Sequence, residues 1–418
     1  MLVENIHLGY CSNIHPGEEW DEHFRHLREK LPLVKKRVSP NDNFGFGLRI
    51  SAIAANALSK QSVLDSFLSF LQEEGLYVFT LNGFPYGAFH GQKIKENVYR
   101  PDWCTKERYD YTLNLARLLA KMVPVYNTGA KKISTVDGSI SSVPLGFRED
   151  FKNETDFDKA AQNLIKMVIE LRKLKEETGC SIMLTLEPEP ACALETTAEC
   201  IQFMQKYIFT PNHIEKIQKE SGISSEQARQ TIREHLGICL DCCHMAVMFE
   251  DPTESIRALQ ASDIQIGKIQ LSAGLEFEFD RTEFEAIRDF IDPVYLHQVV
   301  VKKTGVLKKT GVLKQYLDLP DALASENASS EISSTEAATW RVHYHVPLFY
   351  QAKGNRNALQ TTSHYTSKIL ALHKRTPLSD HFEVETYTWN VLPARLQNLP
   401  IEQSIAKEIL WAKQEMEK

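Results

Sequence analysis

Short apolar runs of strand length recur along this chain, and longer segments with helical periodicity separate them. That alternation limits the folds open to it. The runs are Ile6 to Cys11, Phe46 to Ile50, Tyr77 to Leu81, Ser141 to Leu145, Ile182 to Leu186, Gly237 to Leu240, Gly267 to Leu271 and Phe382 to Thr386. Between them, Glu18 to Lys30 sets Trp20, Phe24 and Leu27 on one helical face. Ser62 to Glu74 repeats Leu64, Phe67, Phe70 and Leu71 at helical spacing, and Gly75 supplies a stop. Tyr109 to Lys121 and Phe157 to Glu177 continue the pattern, and Ser224 with Gln227 has the spacing of a capping box. Strand followed by helix, repeated, specifies a parallel sheet. Closing that sheet buries both faces and leaves no edge, so the expected fold class is α/β, a (β/α)8 TIM barrel. The rival is an open doubly wound sheet, which would bring a glycine-rich phosphate loop near the first strand; none stands there.

Two stretches depart from the pattern. Residues 303–308 and 309–314 both read KTGVLK, and Ala322 to Ala338 is dominated by Ser, Ala, Glu and Thr. We read them as a long, flexible insertion at about 303–339 before the last strand, inside one barrel domain spanning 1–418. A linker between two domains is the alternative, but the tail beyond it holds one clear strand.

With 418 residues and 43% hydrophobic content, the chain can bury a large core without covalent staples. Net charge is −7 with scattered Lys and Arg, which gives no basic face for nucleic acid. The first twenty residues carry acids and no apolar core, unlike a secretory signal, and no apolar run reaches the roughly 20 residues of a membrane span. The eight cysteines lack CxxC or disulfide-framework spacing, so reduced, buried thiols in a cytoplasmic protein are expected.

Polar residues at the C-terminal ends of barrel strands converge on one mouth. The fifth strand runs into Glu187-Pro188-Glu189-Pro190; Glu187 continues it directly and Glu189 shares its parity. The sixth runs into Asp241-Cys242-Cys243-His244, a carboxylate with an imidazole three residues on, where one cation can take hard oxygen and borderline nitrogen. An N-cap Asp with a packed His would give the same letters. His343 and His345 flank Tyr344, so in an extended chain they share a side. The last strand alternates Glu383 and Glu385 with apolar residues, and Glu385 is the choice for the mouth. Glu187 paired with Glu385 suits proton shuttling beside a carbonyl while a metal holds substrate oxygens. Three N-terminal elements add Gly and Pro, which let loops approach a ligand: SNIHPGE after the first strand, TLNGFPYGAFHG after the third, and SVPLGF at the fourth. Within them His15, Asn82, Tyr86 and His90 are candidates to bind substrate.

The ordered set GYCSNIHPGE, FGLRIS, YVFTLNGFPYGAFHG with VYRPDW, SVPLGF, LEPEP, GICLDCCH, HYHVPLF and ETYTW covers nearly the whole chain. It resembles the EboE-type metabolite traffic proteins, which belong to the xylose-isomerase-like (sugar phosphate isomerase/epimerase-like) TIM barrels. The resemblance implies a metal held by Glu, Asp, His and Glu from strands five to eight. Glu187, Asp241 and Glu385 match three of those positions, whereas Gln270 stands where a His is usual. His343 or His345 could fill that gap from the insertion. The DCCH run is also similar to the Asp-x-Cys-His run of the endonuclease IV branch, where both Asp and His bind zinc.

The resulting expectation is an isomerase- or epimerase-like barrel for a small sugar-like or secondary-metabolite precursor. Its divalent cation (Zn, Mn or Mg) would sit on Glu187, Asp241, His244, His345 and Glu385. Glu187 and Glu385 would be catalytic, and His15, Asn82, Tyr86, His90, Gln270 and His343 would touch substrate. Partners would be the metabolite and other proteins of the same export pathway, without nucleic acid. A non-catalytic metabolite-binding barrel and an endonuclease IV-like phosphodiesterase are the alternatives.

Overall fold

The computed structural model describes residues 1–3, 5–89, 94–123, 137–278, 286–304, 312–328, 337–350 and 359–418. Its strands are β1 (Leu2–Val3), β2 (Ile6–Tyr10), β3 (Phe44–Arg49), β4 (Leu76–Asn82), β5 (Gly138–Ser142), β6 (Ile182–Leu186), β7 (Leu236–Asp241), β8 (Ile266–Leu271), β9 (Leu275–Glu278), β10 (Val299–Thr304), β11 (Val312–Tyr316), β12 (Ala337–Val342), β13 (Gln360–Thr361) and β14 (His381–Val384).

The principal sheet runs β1-β2-β14-β8-β7-β6-β5-β4-β3. From β2 round to β3 every pairing is parallel, and a parallel bridge from Cys11 to Gly47 joins the two ends. The result is an eight-stranded (β/α)8 TIM barrel, with β1 appended antiparallel to β2. The helical segments end where local chemistry stops them. Helix Gln61–Glu74 terminates at Gly75, whose φ of 61° is open to glycine at no steric cost. The Ser224–Gln227 capping box opens helix Ser225–His235.

One strand is displaced from its sequence position. The fourth barrel strand is Gly138–Ser142 rather than Ser141 to Leu145. Its letters GSISS look polar, yet all five residues are buried, and the more apolar Val143 and Leu145 lie beyond it, with Leu145 at φ 71°. Inside a barrel, hydroxyls are satisfied by neighbouring strands: Thr80 Oγ1 donates to the Ser139 carbonyl, and Ser139 Oγ donates to Thr80 Oγ1.

The insertion before the last strand is wider than the sequence suggests and carries regular structure. It contributes a second, antiparallel sheet in the order β11-β10-β12-β9-β13. The Ser/Ala/Glu-rich stretch of that insertion contains most of a helix, Leu319–Ala328, and the start of β12; residues 329–336 lie outside the described residues. The two KTGVLK copies contribute to β10 and β11, which pair antiparallel. This sheet is tied to the barrel's C-terminal end, where Val346 N donates to the Ala273 carbonyl and an Arg341 guanidinium N–H to the Ala246 carbonyl. The insertion therefore delivers side chains to the mouth.

Candidate metal centre

Three carboxylates from different strands meet at that mouth. Glu187 follows β6, with its N–H donated to the Ser142 carbonyl of β5. Asp241 is the last residue of β7, and Glu385 follows β14 with its N–H donated to the Leu271 carbonyl of β8. One oxygen from each lies within 4.8 Å of the others, and all three residues are buried. Glu187 Oε2 and Asp241 Oδ2 are buried and accept no hydrogen bond from the described residues. Burial pushes the Glu187 carboxyl well above the usual range, and Glu385 and Asp241 add to it. Burial followed by Asp241 and Glu383 does the same to Glu385. Crowded, desolvated anions with spare lone pairs are stabilised by a cation among them.

Next to this triad stand three imidazoles, each turned by a carbonyl acceptor on Nδ1. His244 Nδ1 donates to the Pro188 carbonyl at 3.0 Å, His345 Nδ1 to the Glu385 carbonyl at 2.7 Å, and His343 Nδ1 to Gln298 Oε1 at 2.7 Å. A carbonyl can only accept, so the proton sits on Nδ1 and each neutral ring offers its Nε2 lone pair. His343 Nε2 and His345 Nε2 face each other at 3.3 Å. Burial lowers the pKa of all three rings, so they favour the neutral, ligating form. Asp241, His244 and His345 form a second compact ligand group, and Glu189, His244 and His343 a third. Cys243, which sequence reasoning placed among packing residues, also groups with His343 and His345, although burial holds its thiol protonated. The residues present fit a divalent cation, with Asp241 common to the carboxylate and imidazole sides.

Asp241 also has a structural duty. Its Oδ1 accepts from His244 N at 2.9 Å and Ser272 Oγ at 2.8 Å. It is thus the N-cap of helix Cys242–Val247 as well as a ligand candidate.

Glu385 is oriented by two amides. Asn13 Nδ2 and Asn82 Nδ2 both donate to Glu385 Oε1 at 2.8 Å. Asn82 is itself fixed because its Oδ1 accepts from Phe84 N at 3.1 Å. Such supporting contacts typically tune metal affinity by about 10- to 100-fold. Asn82→Ala is therefore expected to weaken metal binding roughly tenfold in chelator competition, beside a stability loss of about 1 kcal/mol for the unpaired Phe84 N–H. Unchanged affinity would remove Asn82 from this role.

The structure disperses several other sequence candidates. His15 is buried and its Nε2 pairs with Tyr10 OH at 2.8 Å, outside the pocket lining. Tyr86 packs edge-on against Tyr111 and does not line the pocket either. Gln270 points into the barrel below the mouth, where its Oε1 accepts from Cys239 Sγ at 3.0 Å. These three lie outside the pocket lining: loop position and strand parity do not tell whether a side chain ends at the rim or a layer beneath it. His90 lies outside the described residues.

The mouth opens into a pocket with about 550 Å³ of empty space, counting the part exposed to solvent. Glu187, Glu385, Asn13, Asn82, His244 and His343 reach it, as do Glu189 and Tyr99. Tyr99 OH donates to Glu189 Oε1 at 2.7 Å, and Gln298 Nε2 donates to the same oxygen at 3.2 Å and to Tyr99 OH at 2.8 Å. Burial raises the Glu189 carboxyl to about 8 despite those donors. Sequence reasoning weighed Glu189 only as a substitute for Glu187, and it missed Tyr99 and Gln298 because nothing local marks them as neighbours of LEPEP.

A scan against family models finds no match, and neither does a comparison with curated proteins. Among solved structures the chain is similar to the probable 3-DHS dehydratase AsbF of Bacillus anthracis, at 12% identity over 96% of this chain and 97% of that one, with a TM-score of 0.42. A xylose isomerase domain-containing protein from Salmonella typhimurium LT2 matches at 12% identity over 100% of both chains, with a TM-score of 0.38. The IolI protein with a bound zinc atom matches at 15% identity over 64% of this chain and 73% of that one, with a TM-score of 0.37. No helix among the described residues is long and apolar enough to cross a membrane.

Proposed function

We propose that this chain is a divalent-metal-dependent isomerase or epimerase of a small hydroxycarbonyl or polyol metabolite. The observation that carries the reading is the buried meeting of Glu187, Asp241 and Glu385 beside the His244 and His345 imidazoles. The mixed oxygen and nitrogen donors suit zinc or manganese better than magnesium. When bound, the cation would polarise substrate oxygens and stabilise negative charge developing on them. The remaining work falls to side chains. Glu385, tied by two asparagine amides, is suited to stay a fixed ligand. Glu187 has an oxygen with no donor among the described residues and faces the pocket, so it is suited to take a proton from carbon and return it to the neighbouring one. Glu189 retains a proton near neutrality and can donate it to a substrate oxygen, held in place by Tyr99 and Gln298. The resemblance to EboE-type proteins supports a metabolite precursor destined for export as the substrate and the proteins of that pathway as partners.

The test is deuterium exchange. The metal-loaded chain is incubated in D2O with a panel of small hydroxyketones, and NMR follows label entering the carbon beside the carbonyl. Glu187→Gln, assayed with metal in excess because Glu187 also borders the cation site, is expected to lower exchange by about 100-fold or more, the usual contribution of a positioned base. Wild-type protein that holds no stoichiometric metal and exchanges no substrate would sink the reading.

Glu187 and Glu385 have folded pKa values above their ordinary 4.5, so above that pH the metal-free fold binds more protons than the unfolded chain. The stability of the metal-free protein therefore falls as pH rises through their folded values. The histidines act oppositely: their lowered values destabilise the fold as pH drops below 6.5. A cation must displace the carboxyl protons, so its affinity, and the melting-temperature gain it confers, should rise from pH 5 to pH 8. Calorimetry in two buffers of different ionisation heat would count the released protons; a count of zero at pH 6 would contradict the assignment.

A further inference from the structure

We infer that the pocket takes a neutral, carbon-rich molecule with two adjacent oxygens, rather than a phosphorylated sugar or a polyol oxygenated at every carbon. This deepens the metal reading above and rests on it. The oxygens belong at the floor, where Glu187, Glu385, His244 and His343 line the cavity and a chelated cation would meet them. The same lining also carries a hydrocarbon group: Phe84, Phe89, Ile94, Val98 and Leu296. Phe89, Tyr295 and Tyr387 brace one another, with ring centroids 5.1 to 5.4 Å apart, so this wall is preformed.

Charge points the same way. The single Lys or Arg among the described lining residues is Lys95. Its ammonium donates to the Tyr295 carbonyl at 2.7 Å and to Asp318 Oδ2 at 2.5 Å. Arg49, over the Phe89 ring at 5.6 Å, is held by both oxygens of Glu18 at 3.1 and 3.3 Å. With Glu187 and Glu385 turned to the cation, the described lining leaves no uncommitted Lys or Arg to pair with a phosphate. A polyol would press its outer hydroxyls against hydrocarbon, and each buried hydroxyl without a partner costs roughly tenfold in affinity or more.

The chain is loaded with Co²⁺ and its visible spectrum recorded, then titrated in a calorimeter with 2-hydroxycyclohexanone, dihydroxyacetone and dihydroxyacetone phosphate. The ring compound is expected to bind at least tenfold tighter than dihydroxyacetone and to perturb the spectrum, with no gain from the phosphate. Leu296→Ala and Val98→Thr should each weaken the ring compound about fivefold or more, leaving the Co²⁺ spectrum and dihydroxyacetone affinity unchanged, because only apolar contact is lost. Tightest binding of the phosphate, or equal loss for all three ligands in both variants, overturns the inference while the metal reading stands. Absence of any Co²⁺ spectrum before ligand is added overturns the metal reading itself.

Discussion

Lys268→Ala is expected to destabilise the fold by about 3–5 kcal/mol, because it strands a fully buried carboxylate. Lys268 Nζ lies 2.5 Å from Glu383 Oε2, and both side chains are completely shielded from solvent. Ser141 Oγ, at 3.2 Å, is the other oxygen on that ammonium. The pair sits inside the barrel below Glu385, and in the register of β14 with β8 Gln270 lies level with Glu383. Space for it is set by glycine: a Cβ on Gly47 would fall 1.4 Å from Glu383 Oε1. Burial raises the Glu383 carboxyl and Lys268 pulls it back, so removing the lysine leaves burial unopposed. Removing both charges, in Lys268→Met with Glu383→Leu, should recover most of the loss, since an apolar pair of similar volume needs no partner. Urea unfolding of the wild type, the single variant and the double variant measures this. A single-variant loss below about 1 kcal/mol would mean that water or a relaxed neighbour already serves Glu383.

Asp241→Asn is expected to lower metal affinity about 100-fold or more, the effect of removing a charged ligand, with little cost to the fold. Asp241 is 0% exposed, so the small cost rests on its hydrogen bonds surviving the change. Asparagine still accepts from His244 N and Ser272 Oγ through Oδ1, so the cap survives, while Oδ2 loses its charge and ligand character. Asp241→Ala removes the cap too and should cost a further 1 kcal/mol or so. Metal analysis after dialysis, alongside thermal unfolding, separates the effects. Stoichiometric metal at wild-type affinity in Asp241→Asn would exclude Asp241 as a ligand.

Periodicity along the chain was enough for seven of the eight barrel strands and the helices between them, because a strand buried on both faces is usually apolar and each helix must carry a stripe. It erred on β5, whose buried serines look like a loop until neighbouring strands satisfy them. Strand-end position also sufficed to nominate Glu187, Asp241, His244 and Glu385, since a parallel barrel gathers such ends at one mouth. Depth and partnership were decided by the tertiary structure alone. It set Gln270 a layer under the rim and Asn13 and Asn82 on one oxygen of Glu385. It also carried His343 and His345 in on the insertion, and Tyr99 and Gln298 onto Glu189, across gaps of 90 and 109 residues. A side chain's letter fixes what bonds it can make. Which partner it finds depends on strand register and side-chain direction in three dimensions, and those belong to the closed barrel as a whole.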